Sequence, residues 1–202
     1  IPATDLSFRL SPDATQVTAV LTVERREGVA ASVPLVLDGD GLVLKKLSLD
    51  GAPLEPTSYE ATSDRLEIAA LPAAQRFTLT IETELSPAQN GALMGLYLSN
   101  GVYCTQCEAE GFRRITYFLD RPDILSVYTV RVEARKDAAP LLLSNGNPVE
   151  QGDLADGLHY AVWHDPFPKP SYLFALVAGD LGTVSDRFVT RSGRAGNATA
   201  TS

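Results

Sequence analysis

The sequence has few of the residue types from which metal centres and disulfide-stabilised folds are built. Its 202 residues include two cysteines, two histidines, one methionine and one tryptophan. A structural zinc site normally needs four ligands, and the C-x-x-C pair Cys104 and Cys107 supplies only two, with both histidines far away in sequence. A redox C-x-x-C usually opens a helix in a βαβ unit, and the sequence shows no such setting. We therefore expect two reduced thiols and no metal site in this chain.

Long hydrophobic runs and complete catalytic motifs are also missing. No stretch approaches the roughly 18 apolar residues of a membrane helix, and no secretory signal opens the chain. The sequence contains no H-E-x-x-H, no Walker loop, no dinucleotide-binding fingerprint and no G-x-S-x-G. We expect a cytoplasmic chain that binds no membrane and carries no complete catalytic centre of its own.

Positive charge is in deficit, with 17 Lys and Arg against 25 Asp and Glu and a net charge of −8. An acidic surface repels phosphate backbones, so nucleic acid is not an expected partner. The remaining composition is that of a globular protein, with 45% apolar and 21% charged residues. A chain of this length is predicted to form one domain with a sizeable core.

Alternation of apolar and polar residues dominates the chain, and a period of two predicts strands with one buried face. The apolar positions of the clearest runs are Leu6, Phe8 and Leu10; Val17, Ala19, Leu21 and Val23; Phe77, Leu79 and Ile81; and Tyr128, Val130, Val132 and Ala134. Many short strands separated by turn residues are typical of sandwiches and large sheets. We predict an all-β fold of large curved antiparallel sheets, in a saddle-like or sandwich arrangement with little helix.

Shorter segments complete this prediction. Asp50-Gly51 between apolar residues indicates a hairpin turn. The apolar run Tyr172–Ala178 predicts a strand covered on both faces, and Gly111–Leu119 could hold a turn or two of helix. Small polar residues fill 195–202. We therefore assign 1–194 to one β domain and 195–202 to a flexible tail or an added remnant.

One polar segment, Cys104–Arg114, stands apart from the strands around it. It carries Gln106, Glu108, a second glutamate and two arginines close to aromatic residues. Binding residues concentrate in loops on a rigid scaffold, and a carboxylate there could hold a cationic group. On the residues alone, a solvated polar loop is the stronger interpretation.

The same segment resembles a hallmark of the zinc aminopeptidases of the aminopeptidase N type. Their pattern is T-Q-x-E-x-x-x-x-R followed by D-E-P, and this chain has Thr105-Gln106-Cys107-Glu108, then Arg113, then Asp120-Arg121-Pro122. The Asp-Arg-Pro of this chain, with arginine in place of the glutamate of D-E-P, resembles the bacterial branch of the family. Two later stretches, Leu143–Asn147 and Asp165–Asp180, also resemble that branch.

The resemblance implies an amino-terminal domain, saddle-like and all-β, that packs against a thermolysin-like zinc domain. It implies that Glu108 binds the free α-amino group of a peptide substrate and that Gln106 lines the first substrate subsite. The zinc, its H-E-x-x-H ligands and a G-A-M-E-N loop would belong to a following domain. The resemblance thus implies that this chain binds no cofactor and that the full-length enzyme binds zinc. The chain alone is expected to be inactive.

Two other interpretations stay open. The chain could be a free-standing β-sandwich module that binds a carbohydrate or a protein partner, or a purely structural domain in which Gln106 and Glu108 have no role. A recognition domain predicts an exposed apolar patch beside Gln106 and Glu108, where the missing domain docks. A free-standing module predicts a self-contained, solvated surface instead.

Overall fold

The computed structural model describes residues 1–201, which form strands joined by turns and short 3₁₀ helices. The strands are β1 (Ala3–Arg9), β2 (Thr15–Glu24), β3 (Leu35–Asp38), β4 (Val43–Leu49), β5 (Ala52–Pro53), β6 (Tyr59–Ala61), β7 (Arg65–Ile68), β8 (Arg76–Leu85), β9 (Gly95–Ser99), β10 (Val102–Gln106), β11 (Leu125–Arg135), β12 (Leu141–Ser144), β13 (Asn147–Asp153), β14 (Leu158–Pro170), β15 (Leu176–Gly179), β16 (Thr183–Val189) and β17 (Ala195–Thr201). The 3₁₀ helices are Pro56–Ser58, Pro87–Gln89, Phe112–Arg114, Ala155–Gly157 and Ser171–Leu173. Residues 1–201 contain no α-helix, and the all-β prediction is confirmed.

The strands form four sheets, of which the largest has eight strands in the order β13-β14-β11-β1-β2-β8-β4-β5. A four-stranded sheet has the order β12-β15-β10-β9, a three-stranded sheet the order β3-β7-β6, and β16 and β17 form a separate hairpin. Strands β1 and β11 pair in parallel, with Ala3 opposite Val127. The other pairings between these strands are antiparallel, as the alternation predicted.

One face of the eight-stranded sheet is buried, and it is the face that the alternation predicted. The fully or almost fully buried residues of its central strands are Leu6 and Phe8 in β1, Val17, Ala19, Leu21 and Val23 in β2, Phe77, Leu79 and Ile81 in β8, and Tyr128, Val130, Val132 and Ala134 in β11. Each large apolar side chain buried in this way contributes about 1.5–3 kcal/mol to folding. This face therefore supplies much of the core.

Five aromatic residues close the core over β1 and β11. Phe112 lies edge-on to Phe118 at 4.9 Å, to Phe174 at 5.3 Å and to Tyr128 at 6.0 Å between ring centroids. Phe8 stacks on Phe174 at 6.0 Å. Edge-to-face and offset contacts are the preferred aromatic geometries. The cluster thereby joins the large sheet to the segment after β10 and to the turn before β15.

The hairpin between β4 and β5 confirms the turn predicted at Asp50-Gly51. Both residues have positive φ, 48° for Asp50 and 81° for Gly51. Paired positive φ values are those of a type I′ turn, which matches the twist of the flanking strands. Asp50 also accepts a hydrogen bond from the backbone N of Thr78 at 2.8 Å, which ties the turn to β8.

The prediction of one doubly covered strand over Tyr172–Ala178 is wrong. Only Leu176–Gly179 is a strand, a 3₁₀ helix ends at Leu173, and both Leu173 and Ala175 are exposed. Asn145 accounts for the difference because its side chain accepts from Ala175 N at 2.7 Å and donates to Leu173 O at 3.2 Å. Backbone groups satisfied in this way need no strand partner.

The assignment of 195–202 to a flexible tail or an added remnant stays a prediction. Residues Ala195–Thr201 form β17, which pairs with β16 from Val189↔Ala195 to Thr183↔Thr201. Strand β16 is exposed along its whole length. Ser202 lies outside the described residues. The domain boundary at residue 194 stays a prediction.

Because Phe112 is fully buried at the centre of the aromatic cluster, we expect Phe112→Ala to lower the free energy of unfolding by about 3–5 kcal/mol. Urea unfolding of the 202-residue chain measures the change. Phe167→Ala is the matched control, because Phe167 is 76% exposed and its loss should change stability by less than about 0.5 kcal/mol. Equal effects of the two substitutions would contradict the packing described here.

Candidate functional site

The polar segment singled out in the sequence lies at one end of the four-stranded sheet. Gln106 is the last residue of β10 and pairs with Gly95, the first residue of β9. Residues 107–111 then form a short loop that returns into the 3₁₀ helix Phe112–Arg114. The loop is thus held between a strand on one side and the buried ring of Phe112 on the other.

Gln106 and Glu108 both point their polar groups toward solvent. Both residues are exposed, and Gln106 Nε2 donates to the backbone carbonyl of Glu108 at 3.4 Å. Within residues 1–201 the carboxylate of Glu108 takes part in no hydrogen bond or ion pair. The structure brings the two predicted residues together and leaves an anionic group free to meet a cation.

Thr105 attaches the start of this loop to β15. Its hydroxyl accepts a hydrogen bond from Leu176 N at 2.8 Å and donates to Leu176 O at 3.2 Å. The backbone register between β10 and β15 ends one residue earlier, at Cys104↔Val177. The threonine side chain therefore extends the sheet by one position and fixes the residue that precedes Gln106.

A buried ion pair attaches the other end of the loop. Asp120 Oδ2 accepts from the backbone N and from Nε of Arg113, each at 3.1 Å. Asp120 Oδ1 accepts from the hydroxyl of Ser171. The Asp120 side chain is 1% exposed, and a buried carboxylate requires such donors to offset its lost hydration. Arg113 and Asp120 thus hold the end of the loop that leads into the 3₁₀ helix.

The arginine that departs from the D-E-P pattern lies away from this buried pair. Arg121 binds Asp123 through Nε and Nη2, at 3.0 and 2.9 Å, and both side chains are about half exposed. The third position of the motif, Pro122, is also at the surface. The departure therefore leaves the Arg113–Asp120 contact intact.

The two cysteines are free thiols and are poor candidates for metal or redox chemistry. Cys107 is 3% exposed, and burial, together with the carboxylate of Asp120, raises its pKa to about 12. Burial also raises the pKa of Cys104. Because the thiolate is the form that binds metals and attacks disulfides, both residues favour the reduced, inert state.

Two exposed leucines precede the two strands that pair with β10. Leu93, two residues before the start of β9, is 54% exposed, and Leu173, just before β15, is 45% exposed. The starts of β9 and β15 lie on either side of Gln106. A contiguous apolar patch is the surface expected where another part of a protein docks, and these two leucines lie at the end of the sheet where the sequence predicted one.

The loop is not part of an enclosed cavity. A groove of about 890 Å³ lies near the start of β1 and is lined by Ile1, Val29, Val33 and Leu125 among others, and it includes neither Gln106 nor Glu108. No group of three or more His, Cys, Asp or Glu side chains lies together in the part of the chain that the structure describes. The residues present therefore do not fit a catalytic zinc ion.

The sequence matches the Peptidase M1 N-terminal domain family over residues 3–173, which include the loop and the residues that hold it. The chain belongs to this family. This M1 N-terminal domain is 56% identical to aminopeptidase N of Caulobacter vibrioides over 194 residues, 96% of this chain and 22% of that protein. It is 51% identical to aminopeptidase N of Escherichia coli over 190 residues, 94% of this chain and 21% of that protein. The chain thus spans about a fifth of the length of these relatives.

Solved structures show the same fold. Aminopeptidase A of Legionella pneumophila, in a complex with aspartic acid, matches with a TM-score of 0.92 and 39% identity, over 100% of this chain and 24% of that one. An M1 zinc metallopeptidase of Deinococcus radiodurans matches with a TM-score of 0.80 and 20% identity, over 98% of this chain and 46% of that one. These matches confirm the expected fold.

The sequence pointed to Gln106 and Glu108 but missed what holds them. Arg113 and Asp120 stood in the recognised motif without a role, and Ser171 lay in the second family-like stretch, 51 residues beyond Asp120. The signal was present, since both stretches resemble the same family. That they meet at one carboxylate became visible only in the folded chain.

The loop leaves no room for a side chain at Gly111. A Cβ there would lie 2.4 Å from the carbonyl oxygen of Gln106 and 2.9 Å from Cα of Cys107. We expect Gly111→Ala to shift the loop and to lower the free energy of unfolding by about 1–3 kcal/mol. Gly91→Ala is the matched control, since nothing lies within 4 Å of its Cβ position. Urea unfolding compares the two, and equal stabilities would argue against the tight loop.

Proposed function

We propose that this chain is the substrate-recognition and structural domain of a zinc aminopeptidase that removes amino-terminal residues from peptides. The observation that supports this most directly is the free carboxylate of Glu108 on a loop fastened at both ends. Family membership and the aminopeptidase N relatives support the class of reaction. In this proposal the hydrolytic step belongs to the part of the protein that follows this domain.

The chemistry of the loop suits a peptide amino terminus. The terminus is an ammonium group, and Glu108 offers it a charge-assisted hydrogen bond that uses no other partner in residues 1–201. Gln106, two residues away, both donates and accepts, so it suits the first residue of the substrate. Contact with the free terminus also sets the register, since it places the first peptide bond, and no internal bond, at a fixed distance from Glu108.

Two exposed leucines at the loop's end of the sheet, Leu93 and Leu173, support a division of labour between this domain and the remaining chain. Exposed Glu108 would gain little from an ion pair in water, because exposed pairs contribute only about 0–1 kcal/mol. Covering Leu93 and Leu173 with a second domain would exclude water and strengthen the same contact. A zinc ion held by that domain would supply an activated water molecule, and none of its ligands comes from the residues described here.

The free-standing binding module is the weaker alternative. A self-contained module should present a solvated surface, whereas exposed leucines stand on both sides of this loop. The relatives that match over almost the whole of this chain are about five times longer than the matched part. Both observations favour a domain that works together with the rest of its protein.

We also propose a cytoplasmic protein whose partners are a peptide amino terminus and the remaining part of its own chain. Two free cysteines support a reducing compartment. Among the described residues, no helix is both long and apolar enough to cross a bilayer. The net charge of −8 supports the expectation that nucleic acid is not a partner.

The 202-residue chain alone should neither retain zinc nor release amino acids from peptides. The measurement is zinc content after dialysis, together with turnover of a chromogenic aminoacyl anilide, with the full-length enzyme as positive control. The expected result is less than about 0.1 zinc per chain and no turnover above buffer, because the three or four ligands of a zinc site are not assembled here. A zinc-loaded, active fragment would refute the division of labour.

Glu108→Gln in the full-length enzyme tests the recognition role. Removing the charge that faces the ammonium group should lower kcat/KM by about 30- to 800-fold, which corresponds to about 2–4 kcal/mol. The loss should be confined to peptides with a free amino terminus and should spare the residual rate on N-acetylated peptides. Glu55→Gln removes a similar exposed carboxylate elsewhere and should change kcat/KM less than about twofold. An unchanged kcat/KM for Glu108→Gln would favour the purely structural interpretation.

A further inference from the structure

The side chain of Glu108 has no polar partner in the described residues that could fix its position. Its carboxylate is unpartnered within the described chain, and the residue is exposed. The direction of that carboxylate therefore depends on the backbone of residues 107–111, and so on whatever holds the two ends of this loop. Thr105 holds one end through Leu176. Asp120 is the residue to which the other end is attached.

Asp120 joins three separate parts of the chain. Its carboxylate binds Arg113, the second residue after the loop, and Ser171, the start of the turn that leads into β15. Its own carbonyl oxygen accepts from Arg113 Nη2 at 3.1 Å, and the same nitrogen lies 3.4 Å from the carboxylate of Glu110 within the loop. The loop, Arg113, Asp120 and the turn before β15 therefore form a closed ring that returns to Thr105.

This ring is stiff because of where its charges lie. The Asp120 side chain is 1% exposed and that of Arg113 is 21% exposed, so Asp120 cannot lose Arg113 without leaving a buried carboxylate short of donors. Breaking such a pair costs far more than breaking a surface ion pair. The buried pair therefore restrains the loop in a way that Glu110, 68% exposed, cannot.

We propose that Asp120 is a positioning residue for substrate recognition: it acts through Arg113 and Ser171 to hold Glu108 where it meets the peptide amino terminus. This inference rests on the proposed role of Glu108 and deepens it. Asp120 itself touches no substrate. Its effect should consequently disappear once the charge of Glu108 has been removed, and this sets the design of the experiment.

The experiment is a double-mutant cycle in the full-length enzyme that carries this chain. Asp120→Asn keeps the shape of the side chain but removes its charge and places an amide NH₂ among donors. With peptides that have a free amino terminus, Asp120→Asn should raise KM by about tenfold or more, since a displaced Glu108 binds that terminus less well. In the Glu108→Gln background the same substitution should raise KM less than about twofold, because interacting residues are not additive.

Two further variants separate positioning from folding. Asp123→Asn makes the same chemical change in an exposed carboxylate that pairs with Arg121 and Arg26 outside the ring, and KM should not change. Ser171→Ala removes only one donor to Asp120 and should raise KM by about two- to fivefold, again only when Glu108 is present. Ser171→Ala therefore still tests the positioning role if Asp120→Asn does not fold.

The outcomes distinguish the two proposals. A loss of folded enzyme lowers the apparent kcat and leaves KM unchanged, so that pattern in both Asp120→Asn and Ser171→Ala would overturn the positioning role. Equal increases in KM with and without Glu108 would also overturn it. If Glu108→Gln alone leaves KM and kcat/KM unchanged, the proposed recognition role of Glu108 is wrong, and the positioning role that rests on it is wrong as well. If Glu108→Gln weakens binding while the Asp120 and Ser171 variants do not, recognition by Glu108 stands and positioning by Asp120 fails.

Discussion

The large sheet has one apolar face, and covering that face constrains almost everything else in the molecule. The side chains of β1, β2, β8 and β11 that point inward are nearly all buried. Phe112 and Phe174 complete the cover over Phe8 and Tyr128. Since Phe112 follows directly on the polar loop, the same hydrophobic contact that closes the core also places Glu108 at the surface.

Two carboxylates close together in sequence have opposite environments and therefore different tasks. The carboxylate of Asp120 is buried and accepts three hydrogen bonds, two from Arg113 and one from Ser171, so its role is structural. Glu108 is exposed and unpartnered in the described chain, so its charge is available to a ligand. The surrounding donors, rather than the residue type, separate the buried carboxylate from the one proposed to bind a ligand.

The loop is held at both ends, yet Gln106 and Glu108 on it are exposed to solvent. Glu108 is exposed, as are Leu93 and Leu173 at the same end of the sheet, and the chain covers about a fifth of its aminopeptidase N relatives. A recognition group of this kind gains strength when water is excluded. In the proposed function, this domain supplies one wall of a cavity and the rest of the protein supplies the others.

The sequence by itself determined the strands of the large sheet, because a period of two places every apolar side chain of a strand on one face. It also determined the Asp50-Gly51 turn, since two successive positive φ values suit few residue pairs, and its motifs pointed to Gln106 and Glu108. Only the tertiary structure decided the parallel pairing of β1 with β11 and the strand over Ala195–Thr201. It also decided the irregular path before β15 and the meeting of Asp120 with Ser171. The parallel pairing and the contacts of Asn145 and Asp120 depend on hydrogen bonds between residues far apart in the chain, and a local pattern carries no information about which distant partner will satisfy them. Strand β17 pairs locally with β16, but its small polar residues lack the apolar alternation by which the other strands were predicted.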